Sequence, residues 1–147
     1  MPVMKLLTVQ DGDTCTLEWQ PPHQIISRIR LADIDAPERG EPFFKESQEY
    51  LRWLLAGEDL EIEPKLEQGW LLDANNRIVA YLWTDAALVN LAMVAHGFAR
   101  AWACKPVGQY FEAIQRAELL AREEKIGIWS GTSQRVFTDR VRSSHPR

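Results

Sequence analysis

Residues 3–19 read VMKLLTVQDGDTCTLEW and residues 25–31 read IISRIRL. The first run is apolar-rich over 3–9 and stops at Gln10-Asp11-Gly12-Asp13, a turn whose glycine is free to take a positive φ. From Thr14 the chain alternates. Cys15, Leu17 and Trp19 share one parity and Thr14, Thr16 and Glu18 the other, the period of a strand with one buried face. Gln20-Pro21-Pro22-His23 breaks the run as a hairpin loop, and residues 25–31 resume it, with Ile29 and Leu31 set against Arg28 and Arg30. Three consecutive short strands predict a meander that later strands must close.

Outward from this ribbon, Glu41-Pro42 opens a helix in which Phe44, Ser47, Leu51, Leu54 and Leu55 recur at helical spacing before Gly57 stops it. Residues 60–65 and 78–83 predict two more strands, joined by a polar loop through Glu67-Gln68-Gly69 and Asp73-Ala74-Asn75-Asn76. A second helix is expected over 86–96, stopped by Gly97, with His96 in its last turn, where a polar or cationic side chain suits the dipole. A third, over 110–125, repeats Tyr110, Ile114, Ala117 and Ala121 and ends at Gly127. Five strands with helices inserted and appended predict an α+β fold: a five-stranded β-barrel of the oligonucleotide/oligosaccharide-binding (OB) type with three helices. Periodicity alone leaves this as one of several α+β folds. Residues 1–130 form the expected domain, and 131–147 a basic C-terminal tail with little core material, expected to be flexible.

At 147 residues, with 46% hydrophobic and 26% charged side chains, the chain suits one globular domain with a substantial core. No apolar run approaches the ~20 residues of a membrane span. Met1-Pro2-Val3-Met4-Lys5-Leu6-Leu7 lacks an apolar stretch of signal-peptide length, so cytoplasmic residence is expected for the chain as written, and export if it is a processed form. A monomer is the default. Cys15 and Cys104 make neither a disulfide scaffold nor a zinc site, and Cys15 reads as packing. His23, His96 and His145 stand singly, without paired-ligand spacing. The net charge of −4 is unevenly spread: residues 1–99 hold 8 Lys/Arg against 16 Asp/Glu, and residues 100–147 hold 9 against 5. A polyanion would be steered to the final third, while overall acidity opposes a strong nonspecific nucleic-acid clamp.

Asp13, Arg30, Asp35, Glu38 and Arg77 each fall at a strand or turn boundary. Two carboxylates able to hold a hard cation, a third free to handle a proton, and two guanidiniums are the parts that phosphodiester hydrolysis requires. In Arg30-Leu-Ala-Asp-Ile-Asp35-Ala-Pro-Glu38, Pro37 fixes its own φ and pushes Ala36 into an extended conformation. Asp35, the Ala36 carbonyl and Glu38 are thereby held in a rigid corner, which suits calcium and its mixed carboxylate and carbonyl ligands.

Five segments occur in one order: Asp11-Gly-Asp-Thr14; Arg30 through Glu38; Asp73…Arg77-Ile-Val-Ala-Tyr81; Val89-Asn90…Val94…Gly97-Phe-Ala99; and Glu118…Ala121…Glu124-Lys-Ile-Gly-Ile-Trp129. Together they resemble the staphylococcal nuclease (thermonuclease) family over about residues 8–130. The resemblance implies a calcium-dependent nuclease that acts on DNA and RNA, cutting the 5′ oxygen–phosphorus bond to leave 3′-phosphates. It implies that Asp13 and Asp35 ligate calcium, with the Ala36 backbone carbonyl. Glu38 would orient or deprotonate the attacking water, and Arg30 and Arg77 would grip the scissile phosphate.

The departures from the family are specific. Ala36 stands where its best-known member has threonine, and Ala74-Asn75-Asn76 replaces a lysine-tyrosine pair. The loop between Glu38 and the first helix is shorter, and the tyrosine pair that flanks the nucleotide has no clean counterpart. Trp102 is the candidate substitute for base stacking, unless it packs under the third helix; Trp53, Trp83 and Trp129 are expected in the core. The expected activity tolerates many sequences and prefers unpaired strands. Weaker substrate binding is expected from the losses. The rival expectation is a catalytically silent barrel that binds nucleic acid or protein.

Overall fold

β1 (Val3–Asp11), β2 (Thr14–Trp19) and β3 (Ile26–Leu31) form the antiparallel meander that the alternation predicts, with Leu6 opposite Leu17 and Cys15 opposite Ile29. In this computed structural model the described residues are 3–19, 25–103 and 105–131. The expected loop at Gln20-Pro21-Pro22-His23 lies outside them, as do Cys104 and all of the expected tail except Gly131.

The meander folds into a tube. β4 (Ile34–Asp35) follows at once, then α1 (Phe44–Leu55) and β5 (Leu60–Pro64), which pairs with β1 at Met4–Leu60. Two-residue β6 (Leu71–Leu72) precedes β7 (Ile78–Trp83), which runs antiparallel to β5 and closes the barrel by pairing parallel with β3, Arg30 opposite Val79. The result is a closed five-stranded barrel, β1-β2-β3-β7-β5, with three helices: the α+β, OB-type architecture. α2 (Val89–Ala95), β8 (Arg100–Ala101) and α3 (Phe111–Glu124) complete the order, and β8 pairs antiparallel with β4, Asp35 opposite Arg100.

Met4, Cys15, Leu17, Ile29, Ile62 and Leu82 fill the barrel and are fully buried. α1 covers it with Ser47, Leu51 and Leu55, one face at four-residue steps. Each buried leucine there stabilises the fold by roughly 1.5–3 kcal/mol. No described helix is long and apolar enough to cross a membrane.

Several expectations need correction. Trp53 is not core: it is 73% exposed, because it lies two residues past Leu51 on the opposite face of α1, where it stacks on Tyr50. Trp83 is half-buried against the core and Trp129 is buried. α1 begins at Phe44 rather than at Glu41. α2 begins at Val89 rather than at residue 86, because the Thr84 hydroxyl accepts the Ala86 and Ala87 N–H groups and holds a turn there. The third helix stops at Lys125, whose left-handed conformation ends it before Gly127. Gly12 does not take a positive φ. Its need is space: a Cβ there would sit 2.7 Å from the Ala36 Cβ and 2.8 Å from the Ser47 Cβ. The glycine lets the Asp11–Asp13 turn lie against the β4 corner and α1.

Candidate active site

β-pairing brings the start of β2 beside the end of β3, so the Leu31 N–H donates to the Asp13 carbonyl at 2.8 Å. Asp13 is fully buried. Its Oδ1 accepts the Thr14 hydroxyl at 2.9 Å, and its Oδ2 accepts the Ala36 N–H at 2.8 Å. Asp35, also fully buried, accepts two N–H groups of Arg100 on Oδ2, Nε at 3.0 Å and Nη2 at 2.8 Å. The Arg30 guanidinium bridges the two acids loosely, its Nη2 lying 3.5 Å from Asp13 Oδ2 and 3.8 Å from Asp35 Oδ1. Both distances exceed a normal charge-assisted hydrogen bond, so the attraction is mainly Coulombic. Arg30 donates Nη1–H to the Leu31 carbonyl at 2.7 Å, while its buried Nε has no hydrogen-bond partner among the described residues.

Arg77 enters from the other side of the closing seam. Its Nε donates to Asp73 Oδ2 at 2.7 Å and its Nη1 reaches the Thr14 hydroxyl at 3.4 Å, which ties it through Thr14 to Asp13. Partial burial pushes the Asp73 carboxyl up, but hydrogen bonds from the Arg77 amide and guanidinium and from the Asn75 amide outweigh it and hold the group below the usual carboxylate range. Glu38 follows Pro37, half-buried, and its N–H donates to Glu41 Oε1 at 2.6 Å.

A cavity of about 130 Å³ opens beside Arg30, lined by Asp33, Asp73, Asn75, Val79 and Trp102 among others. Trp102 is therefore a half-buried wall of this cavity, with its N–H on the Asp33 carbonyl at 2.9 Å and the Arg100 guanidinium 4.5 Å over its ring. Behind the wall, Asp33 pairs with the buried Lys65 at 2.8 Å and accepts the Tyr81 hydroxyl and, at 3.2 Å, the Gly108 N–H. The Tyr81 phenol is pushed up by burial and by the Asp33 carboxylate. Gly108 is obligatory, since a Cβ would lie 1.7 Å from the Tyr81 hydroxyl.

Of the expected residues, Asp13, Arg30, Asp35, Ala36 and Arg77 are joined in one network of contacts with Trp102 on the adjoining wall, while Glu38 follows two residues after Ala36 with its N–H on Glu41. Sequence reasoning missed Arg100, Asp33, Lys65 and the clasp of Asp73 on Arg77. The clasp was legible as an acid four residues before an arginine across an Asn-rich turn. Arg100 carried only its position after Gly97-Phe-Ala99. In donor type the acids and the Ala36 carbonyl fit a hard cation. Among the described residues no group of three or more His, Cys, Asp or Glu side chains is placed to hold a metal ion by itself.

The fold and this site define an OB-type barrel carrying acids and guanidiniums where β2, β3, β4, β7 and β8 meet. The family model described as "Staphylococcal nuclease homologue" matches residues 28–131, and the chain belongs to that family. The chain is similar to the thermonuclease of Staphylococcus hyicus, 27% identical over 132 residues that cover 86% of this chain and 75% of that protein. It is also similar to the micrococcal nuclease of Shigella flexneri, 29% identical over 136 residues, 86% of this chain and 72% of the other. An uncharacterized endonuclease of Haemophilus influenzae is 29% identical over 129 residues, 86% of this chain and 65% of the other.

Proposed function

We propose that this chain is a calcium-dependent phosphodiesterase that hydrolyses DNA and RNA, preferring unpaired strands, by 5′ O–P cleavage that leaves 3′-phosphates. The observation that carries the reading is the single network running from Arg77 through Thr14 to Asp13, and from Arg30 to both Asp13 and Asp35. Asp13, Asp35 and the Ala36 carbonyl would hold the cation, which would supply positive charge against that developing on phosphorus. Arg30 and Arg77 orient the phosphate and stabilise its added negative charge; the partnerless Arg30 Nε is a donor suited to an anionic oxygen. Glu38 takes a proton from the attacking water. Trp102 offers its face to a base in the adjoining cavity, with specificity left low because every base has a π-face.

Labelled single-stranded DNA and a matching RNA, incubated with calcium or with a chelator, test the reading. Calcium-dependent fragments bearing 3′-phosphates are expected. Asp13→Asn is expected to weaken calcium binding, and an unchanged isotherm removes that residue from the ligand set. The second reading, a silent nucleic-acid- or protein-binding module, draws support from Asp73, which occupies the Arg77 guanidinium at 2.7 Å. Binding without cleavage, indifferent to calcium, would establish it.

A further inference from the structure

Arg100 is placed by the fold as firmly as the acid it meets. β8 sets its backbone directly opposite Asp35 of β4, and its side chain is buried between that carboxylate and the Trp102 ring. On the α3 side, Glu118 accepts the Ala101 N–H at 2.7 Å and adds a further negative field at Arg100. The Nε–H and an Nη2–H of Arg100 both donate to one oxygen, Asp35 Oδ2, while Oδ1 lies toward Arg30. Asp13, Asp35, Arg30 and Arg100 together carry no net charge.

We propose that Arg100 sets the cation affinity of the Asp13–Asp35 site, acting as a positioning residue that holds Asp35 by one oxygen and partly cancels its charge. The proposal rests on the assignment of Asp13 and Asp35 as cation ligands given above. A divalent ion approaching Asp35 meets a carboxylate already half-neutralised by a guanidinium that strand pairing and the indole ring keep in place. Affinity in oxygen sites follows ligand charge count and rigidity. Arg100 lowers the first and raises the second. With the charge effect the larger of the two, the site is held weak, its remaining coordination left to water and to phosphate oxygens.

The test is calcium binding by the full chain at neutral pH, read by calorimetry and, with Tb3+ as probe, by tryptophan-sensitised luminescence. Arg100→Met and Arg100→Gln, both neutral, are expected to bind calcium at least ~10-fold more tightly, because one buried like charge beside the ion is gone. Arg100→Lys keeps the charge and is expected to stay within about threefold of wild type. A merely structural role predicts the reverse, weaker binding in the neutral variants with no rescue by lysine. Wild-type binding with equal or weaker affinity in the neutral variants overturns this proposal alone. Absence of calcium binding in wild type and variants alike overturns the ligand assignment and this proposal together. Should the neutral variants not fold, the wild type decides: the Arg100 Nε–H resonance is expected to stay protected from exchange at calcium saturation. Its loss would mean that the ion displaces the guanidinium, which overturns the proposal.

Discussion

Asp33 and Asp35 stand two residues apart, both are buried, and they serve different ends. Asp33 is enclosed by Lys65, the Tyr81 hydroxyl and the Gly108 N–H, which fasten the segment before α3 to the barrel. Asp35 is tied on one oxygen by Arg100, and its other oxygen lies at the long Arg30 contact. Strand parity would send the two side chains the same way. It fails here because Asp33 sits in the left-handed region, at φ 63°, in the turn between β3 and β4. Burial of an acid therefore does not by itself mark a site. What separates the two is the partner set: a lysine, a phenol and a backbone amide in one case, one tight and one long guanidinium contact in the other.

Glu38→Gln and Arg77→Ala are each expected to slow hydrolysis by ~100-fold or more in the folded protein, with the melting temperature near wild type for Glu38→Gln. A wild-type rate in either purified variant removes that residue from the site. Lys65→Met leaves the Asp33 charge buried without its counter-ion and is expected to cost about 3–5 kcal/mol of stability in urea. Adding Asp33→Asn to it should recover much of the loss, with cleavage by the folded fraction preserved throughout. If cleavage instead collapses in the folded double variant, Asp33 belongs to the site after all.

A smaller effect is expected on the cavity wall. Trp102→Ala should weaken substrate binding by about 1–3 kcal/mol, seen in KM more than in kcat. An unchanged KM would confine Trp102 to packing. The smallest effect concerns Asp73, whose folded carboxyl is held below its unfolded value. Its contribution is full above the ordinary carboxylate pKa of about 3.9 and is lost as pH falls through the folded value. The stability gap between wild type and Asp73→Asn should thus be constant near neutrality and narrow in acid. A gap that does not change with pH would show that the Arg77 clasp has no electrostatic share.

Much of the barrel was legible because two-residue alternation with one buried face leaves little choice of register, as Cys15, Leu17 and Ile29 illustrate. The local motif at 30–38 likewise singled out Asp35 and Ala36 as candidates, and the structure sets both beside Asp13 and Arg30. What could not be read was anything set by the closure of β7 on β3 or by the pairing of β8 with β4. Arg100 and Lys65 look like ordinary surface cations in the sequence, and only strands distant in the chain bury them. Trp53 failed for the opposite reason: a large apolar residue suggests core, but helical phase put it on the outer face. Gly12 was flagged for backbone freedom, whereas the constraint is the close approach of Ala36 and Ser47.

The parallel seam between β3 and β7 also fixes when the site can exist. Arg30 and Arg77 lie on, or just before, the two strands that meet there, and Arg100 arrives later still along the chain. Such contacts span long stretches of chain, and each carries a loop-closure cost that local contacts do not. A partly folded chain in which only β2, β3 and β4 have met could hold Asp13, Arg30, Asp35 and Ala36 together, yet it would lack Arg77 and Arg100. The full set of acids and guanidiniums is thus complete only when the tube shuts and β8 lies against β4, so an open seam leaves a half-site of acids and one arginine.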